Sequence, residues 1–346
     1  MTAPLLAPDP GPGPTWRLDA DAALDALRRF KAAKLVLLPT HQNVDADGLS
    51  SPLALVHALE QVGVKAVALI SDGQMPTNLR FLPGIERVLV YGRDPLPEYD
   101  LLCLADCSDR KRLGQFATDD PTRLAGGVPI VNIDHHVTND RFGVVNIVEP
   151  KAASAAEIVA EVLGVWGTDL TTEIAQCLLS GIYGDTLGLR TPATTARTMR
   201  VAADLVDAGA NPGPVVDALF RLKPRSTVCL WERALHGVVW TGTVIWTEVS
   251  EGILSGCGAV PNEAEGLVNF LAGTEGSRVA AILYANAEGW RVSMRSLDED
   301  VDVAAIASEF GGGGHPRAAG CTVTGGESGK QAFLRRVDEL ATGPRA

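Results

Sequence analysis

Residues 131–136 read Val-Asn-Ile-Asp-His-His. A short run rich in β-branched residues, the mark of a buried strand, ends abruptly in an acid and two imidazoles. Two other segments behave the same way. Lys34-Leu35-Val36-Leu37-Leu38-Pro39-Thr40 runs into His41-Gln42-Asn43-Val44-Asp45-Ala46-Asp47, and Leu101-Leu102-Cys103-Leu104-Ala105 runs into Asp106. Three apolar strands therefore deliver metal-ligand residue types at their C-terminal ends, the edge at which open α/β sheets bind ligands. The pattern points to a polynuclear metal site and to phosphate chemistry.

The 346-residue chain is long enough for two domains, and its 46% apolar content supports a large core. A formal net charge of −12 argues against a protein that coats long nucleic acid, which needs a basic track. A short anionic substrate held by metals and a few arginines is compatible with it. The six cysteines, at 103, 107, 177, 229, 257 and 321, form no C-x-x-C pair; several sit inside apolar runs as small hydrophobes, and a reducing cytoplasm, where disulfides are rare, is the expected setting. No run approaches the ~18 apolar residues of a membrane span, so no membrane partner is expected. Residues 1–15, rich in Ala and Pro, lack the basic and apolar regions of a signal peptide and are expected to be a disordered tail.

Strand and helix patterns alternate from about residue 18 to 165. A helix is predicted over 49–63, capped by Ser50 or Ser51 with Pro52 in its first turn and Gly63 after it. Short buried strands are predicted over 66–70, 88–91, 101–105 and 128–133, and helices over 154–163, 171–182 and 194–208. Such interleaving implies a parallel sheet. The stretch from Asn211-Pro212-Gly213-Pro214 to Lys223-Pro224 reads as a connector. Beyond it, 238–249 and 279–296 read as longer strands or hairpins around a helix at 263–271. The expected architecture is α/β with a catalytic domain over 16–210, a linker over 211–228, and a smaller α/β domain with a mixed sheet over 229–346. The active site is expected in the cleft between the two domains.

The spacing His41-x3-Asp45-x-Asp47 lies on a loop between a strand and a helix, so the three side chains can converge. Asp106, His135 and Asp185 add three more ligands. Two imidazoles and four carboxylates are too many for one ion and suit two, bridged by a carboxylate. Oxygen and nitrogen donors without thiolates favour Mn²⁺, with Mg²⁺, Co²⁺ or Fe²⁺ as competitors. Taken singly, an Asp after a strand is a turn or cap residue, and a lone buried His is a hydrogen-bonded core residue. The three strand ends taken together carry the metal reading; His57 and His236 have no such company and read as ordinary helix residues.

Near the C-terminus, a helix predicted over 303–310 runs into Gly311-Gly312-Gly313-Gly314-His315-Pro316-Arg317, and an apolar strand pattern resumes at Ala318. A flexible linker would have polar flanks. Gly312, Gly313 and Gly314 let backbone N–H groups approach an anion, and His315 and Arg317 add donors, the latter able to fork onto phosphate. Arg295 and Ser296, at the end of a strand, offer a second anchor. Arg110 and Arg112 follow Asp106 and read equally as phosphate neutralisers or as a solvated charged turn.

The segments HQNVDADGLSS, LADCSDRKRLG, VNIDHH, GIYGDT and FGGGGHPRAAG resemble the signature motifs of the DHH phosphoesterases that carry a C-terminal DHH-associated domain. The resemblance runs from Lys34 to Val323, with five motifs in order. Length and the compact second domain look most like the nano-RNase branch. The resemblance implies a Rossmann-like N-terminal domain and Mn²⁺-dependent hydrolysis of short oligoribonucleotides (3′–5′ oligoribonuclease activity) and of 3′-phosphoadenosine 5′-phosphate. In some members it implies opening of cyclic di-AMP or cleavage of its linear product. Partners would be short RNA or small nucleotides and no long duplex; a homodimer is compatible. Carried over by position, His41, Asp45 and Asp106 would hold one Mn²⁺, and Asp47, Asp106, His135 and Asp185 a second, with Asp106 bridging and Mg²⁺ or Co²⁺ as substitutes. Asp134 would orient His135, and His136 would face the substrate phosphate. Val44 and Ala46 stand where the family usually has Pro and Gly, both between ligands. Three rivals are weaker. A family-II-type pyrophosphatase does not explain the glycine loop, and a RecJ-type processive exonuclease needs extra domains and a basic track. A non-catalytic nucleotide sensor predicts a broken ligand set, whereas all six positions are filled.

Overall fold

The uninterrupted apolar runs become strands buried on both faces, the arrangement a parallel sheet imposes. The structure is a computed structural model that describes residues 16–286 and 289–342; the expected N-terminal tail, 1–15, lies outside the described residues. Strands β1 (Val36–Pro39), β2 (Ala66–Ile70), β3 (Leu89–Val90), β4 (Leu101–Ala105), β5 (Ile130–Asp134) and β6 (Val145–Val148) form one parallel sheet in the order 3-2-1-4-5-6. Val36 and Leu38 of β1, with Leu101, Cys103 and Ala105 of β4, enter one core. That core is closed by α1 (Ala20–Ala32), α2 (Ala46–Gln61), α4 (Ala155–Trp166), α5 (Thr172–Asp185) and α6 (Ala196–Asp207). The intervening Leu37, Leu102 and Leu104 enter a second core on the opposite face with Leu113, Leu124 and Phe116 of α3 (Gly114–Thr118). Strand order reverses between β1 and β4, and the crevice at such a reversal is where open parallel sheets bind ligands.

Three details differ from the expectations. Helix α2 starts at Ala46 rather than 49, because Asp45 and not a serine caps it: its carboxylate accepts from the Gly48 N–H at 2.9 Å. Pro52 therefore sits inside the helix, where it forgoes one helical hydrogen bond. Strand β6 was not expected. The segment 211–228, expected as a linker, is largely helical. Asn211 accepts from the Gly213 N–H at 2.9 Å and starts α7 (Pro212–Val216), a π-turn follows over Asp217–Arg221, and α8 (Arg225–His236) begins soon after. Asn followed by Pro is a cap and first-turn pair as much as a loop signal.

The chain divides into two compact units, 1–222 and 223–346. In the second, β7 (Val239–Thr241), β8 (Val244–Val249), β9 (Val279–Asn286), β10 (Gly289–Arg295), β11 (Gly313–His315) and β12 (Ala318–Val323) form a sheet in the order 11-12-10-9-8-7. It is mixed: β8 and β9 run parallel, and the other pairs antiparallel. Val244, Ala281 and Leu283 face α11 (Val303–Ser308) and α12 (Gly326–Thr342), while Ile245, Ile282 and Tyr284 face α8 and α10 (Glu265–Ala272). The cysteine expectation holds for Cys103, Cys107, Cys177 and Cys321, which are buried and unpaired. It fails for Cys229 of α8 and Cys257 of α9 (Glu251–Cys257), which form a disulfide across 28 residues of sequence with their Cα atoms 5.6 Å apart. Packing of α8 against α9 brings them together, and no spacing rule signals it. Among the described residues no helix is long and apolar enough to cross a membrane.

Leu102 is fully buried in the second core of unit 1. Leu102→Ala is expected to lower the unfolding free energy by about 2–5 kcal/mol. Urea denaturation followed by circular dichroism measures it, and a loss below ~1 kcal/mol would show that this face of the sheet is not close-packed.

Candidate metal centre

His41 leaves β1 with its Nδ1 donating to the Gln42 carbonyl at 2.8 Å. A carbonyl can only accept, so Nε2 is left to face the crevice. It stands 3.3 Å from Asp106 Oδ2 and 3.6 Å from Asp45 Oδ1. Asp106 follows β4 with a left-handed backbone, φ 57°, a conformation that costs about 1–3 kcal/mol in a non-glycine residue; its N–H donates to the Ile133 carbonyl of β5 at 3.0 Å. Its Oδ1 lies 3.4 Å from His135 Nε2, which in turn lies 3.1 Å from Asp185 Oδ2. Asp47, in the first turn of α2, is fully buried. It accepts from the N–H groups of Ala155 (2.6 Å) and Ala156 (3.0 Å) at the start of α4, and from Ser51 Oγ (2.8 Å). The positive end of α4 thus stabilises this anion. Asp185 ends α5, and α5 can lie against α2 because of Gly181 and Gly184. A Cβ at Gly181 would stand 2.5 Å from Asp47 Oδ1, and one at Gly184 would stand 2.7 Å from Ala46 Cβ.

The donor atoms fall into three groups, each within 4.8 Å: His41, Asp45 and Asp106; Asp47, Asp106, His135 and Asp185; and Asp106, Asp134, His135 and His136. Asp106 belongs to all three. The electrostatics follow from this crowding. Burial, then the charges of Asp185 and Asp106, push the Asp47 carboxyl well above the usual range. Burial, opposed by His135 and reinforced by Asp106, pushes Asp185 up to about 6. Burial also acts upward on Asp106, but His135 and His41 outweigh it and hold that carboxyl below the usual range. Burial disfavours protonation of His41 and His135, yet the adjoining carboxylates win and push them up to about 10 and about 11. His41 Nε2 and Asp106 Oδ1 are buried and make no hydrogen bond. Unbonded buried polar atoms of this kind are costly, and cations held by the two ligand groups would satisfy each of them. Nitrogen and carboxylate donors without thiolates fit a hard or borderline divalent ion.

Asp134 serves a different imidazole from the one expected. Its fully buried carboxylate accepts through Oδ1 from His136 Nδ1 at 2.8 Å and from the backbone N–H of His135 at 2.9 Å. The ring of His135 is instead turned to Asp106 and Asp185. His136 is left with Nε2 outward, 3.5 Å from Arg112 Nη1. Asp134 Oδ2 accepts from Asn139 Nδ2 at 2.6 Å, and the same amide donates to Asn132 Oδ1 at 2.7 Å. Asn132 donates to the carbonyls of Leu104 (3.3 Å) and Cys107 (3.0 Å). The strands that deliver Asp106 and Asp134 are thereby tied together beside the site.

Residues 35–182 match the DHH family, N-terminal domain, and residues 247–343 match the DHHA1 domain. The bifunctional oligoribonuclease and PAP phosphatase NrnA of Thermus thermophilus is 33% identical over 299 residues, covering 84% of this chain and 84% of that protein. The chain belongs to the DHH family. The Bacillus subtilis protein of the same name is 23% identical over 308 residues, covering 86% of this chain and 92% of its own. An exopolyphosphatase-related protein from Bacteroides fragilis, 21% identical, superposes with a TM-score of 0.84 over 94% of this chain and 98% of its own, which shows the shared fold. As a DHH phosphoesterase the chain is a hydrolase.

The expected substrate residues of the DHHA1 domain fare unevenly. The glycine run is a hairpin and not an open loop. Gly313–His315 pair with Ala318–Gly320 across a turn at Pro316 and Arg317. A Cβ at Gly312 would stand 2.1 Å from the Gly320 carbonyl oxygen, and one at Gly314 would stand 2.4 Å from that of Ala318, so close backbone approach requires both glycines. His315 is exposed at the end of β11. Arg317 is engaged within its own domain. Its guanidinium donates to the carbonyls of Asp298, Glu299 and Val301 and holds that turn. Ser296 is buried and donates to the Arg278 carbonyl at 2.8 Å, and Arg295 Nη1 donates to the Met294 carbonyl at 2.9 Å. In the DHH domain, Arg110 donates to the Leu124 carbonyl at 2.9 Å and lies over the Phe142 ring, while Arg112 reaches His136. The two lie on a 3₁₀ turn, where neighbours two apart point to different sides.

Sequence reading missed Asn132, Asn139 and Ser51. Asn132 could have been found, since a polar side chain in a buried strand must be hydrogen-bonded; the amides of Ala155 and Ala156 leave no trace in side-chain pattern. Asn139→Ala would leave Asp134 Oδ2 and Asn132 Oδ1 without their donor in a buried place, and is expected to cost about 1–3 kcal/mol of stability. Asn139→Asp, which sets a second carboxylate against Asp134, is expected to cost more. Denaturant titration measures both, and a change within ~0.5 kcal/mol for Asn139→Ala would mean that the network does not bear on the fold.

Proposed function

We propose that the chain is a two-metal phosphoesterase that hydrolyses short oligoribonucleotides and 3′-phosphoadenosine 5′-phosphate. His41, Asp45 and Asp106 would hold one Mn²⁺, and Asp47, Asp106, His135 and Asp185 the other. One observation carries this reading: Asp106 turns Oδ2 to His41 at 3.3 Å and Oδ1 to His135 at 3.4 Å, so a single carboxylate serves both ligand groups. The activity named for the Thermus and Bacillus relatives supports the substrate class, as does a net charge of −12, which disfavours long polyanions. When bound, such cations lower the pKa of a coordinated water and screen the phosphoryl oxygens. The chain's own residues do the rest. Asp134 fixes the proton of His136 on Nδ1, so Nε2 faces Arg112 as an acceptor and, in the doubly protonated ring, can pass a proton to a phosphoryl or leaving ribose oxygen. Arg112, beside that nitrogen, adds a charge-assisted donor.

The direct test supplies purified protein and Mn²⁺ with a diribonucleotide and with 3′-phosphoadenosine 5′-phosphate. Both should be hydrolysed, and EDTA should abolish turnover of each; full activity in EDTA would overturn the metal reading. Asp106→Ala removes the shared ligand and is expected to lower kcat by ~100-fold or more, since charge stabilisation worth several kcal/mol is lost.

A pH dependence follows from the raised imidazoles. In the metal-free protein His41 and His135 hold protons to about 10 and about 11, and a metal must displace them. Affinity should therefore strengthen as pH rises from 6 toward 9, with release of at least two protons per chain near neutrality. Calorimetric Mn²⁺ titrations in two buffers of different ionisation enthalpy measure the release. Absence of any buffer dependence would mean that these imidazoles do not ligate.

A further inference from the structure

Unit 1 holds a second concavity, apart from the metal cluster. Its volume is about 570 Å³, within the ~300–1,000 Å³ typical of small-molecule sites. It opens at the C-terminal ends of β2 and β3. Gln74 and Met75 come from the loop after β2, Val90 and Arg93 from the end of β3 and the turn beyond it, and Gln115 from α3, while Arg80 completes the rim.

We propose that this pocket receives the nucleotide at the non-scissile end of a short oligonucleotide, with its base against Met75 and Val90 and its phosphate on Arg80. The proposal rests on the reading of the chain as an oligonucleotide phosphoesterase. Position is the first argument. The pocket lies on the same sheet edge as the ligand cluster, and β2 neighbours β1. Strands ~4.8 Å apart place it roughly 5–15 Å from the crevice, a span that one or two nucleotides cover. Continuity is the second. The Gln42 N–H donates to the Arg112 carbonyl at 2.6 Å, and the Phe116 N–H to the Ser71 carbonyl at 3.1 Å. The loops after β1, β4 and β2 therefore form one tied rim from His41 to the pocket. Charge is the third. Arg93 is answered by three hydrogen bonds to Asp94, whereas Arg80 is exposed and pairs with no carboxylate among the described residues. On so acidic a chain, an uncompensated guanidinium beside a cavity selects a phosphate. The exposed amides of Gln74 and Gln115 each carry a donor and an acceptor, the pair of functions that a base edge needs, over an apolar wall of buried Val90 and half-buried Met75.

The test uses the Mn²⁺-loaded full chain with pApA and with 3′-phosphoadenosine 5′-phosphate as parallel substrates. Arg80→Ala should raise KM for pApA about tenfold, leave its kcat within about twofold, and lower the pApA-to-bisphosphate ratio of kcat/KM about tenfold. An equal change on both substrates, or no change on either, would overturn the pocket. Its failure is separable from failure of the functional reading. The chain has 4 methionines, so the methyl signal of Met75 can be assigned with Met75→Leu and followed as AMP is added. A Met75 shift that saturates in the wild type and is lost in Arg80→Ala supports the site even if neither substrate turns over. No Met75 shift overturns the site even if both do.

Discussion

Three carboxylates, those of Asp47, Asp106 and Asp185, are forced into one buried space, and much of unit 1 exists to hold them there. Like charges at such range cannot all ionise without help. Each is helped differently. Asp47 takes the first amides of α4 and the hydroxyl of Ser51. Asp106 lies between two imidazoles. Asp185, pushed up to about 6, keeps its proton to a higher pH than a free carboxyl does. Protons on His41 and His135 serve as the remaining counter-charge in the metal-free protein, and cations would replace them. The arrangement opposes stability and favours ligand capture, the trade expected where a fold serves chemistry.

That opposition is carried by the layers around it. The sheet is buried on both faces, and its two cores hold β1, β4 and β5 in register. The strained turn at Asp106 can then persist because the N–H of that residue is anchored to β5. Asn132 and Asn139 clamp the same strand ends through side chains. Gly181 and Gly184 let α5 approach α2 until Asp185 joins Asp47. The GIYGDT segment thus has a packing reason for its glycines and a chemical reason for its aspartate.

The strand ends were legible because a parallel sheet buried on both faces writes its strands as continuous apolar runs, and a polar ligand at the end of such a run stands out. The mixed second sheet was legible from its longer hairpin patterns. What was not legible has physical causes. Asp45 is both a ligand candidate and the cap of α2, so the predicted helix start falls late, at 49. The partner of Asp134 depends on side-chain direction two residues away, which spacing does not encode: His135 and His136 are adjacent, and only the tertiary placement of Asp106 and Asp185 decides which ring each acid meets. The pairing of Cys229 with Cys257 is set by packing of two helices. An arginine beside glycines suits an anion, yet three carbonyls of the 298–301 turn accept from the same guanidinium.

Arg317 is one case of a wider pattern. Arg110 holds the Leu124 carbonyl and the Phe142 ring, Arg123 the Phe116 carbonyl and Tyr91, and Arg197 the Trp16 carbonyl and Glu161. These guanidinium groups close loops and cover aromatic faces. A chain of net charge −12 that uses its arginines internally has little positive surface with which to attract a polyanion. Anion binding must then come from cations gathered by the carboxylate cluster and from a few groups near it, such as Arg112 and Arg80. A field that local is felt within about a Debye length, ~8–10 Å, so it reaches one or two phosphates and no more. On the proposed reading, preference for short substrates needs no steric gate: it follows from where the positive charge is.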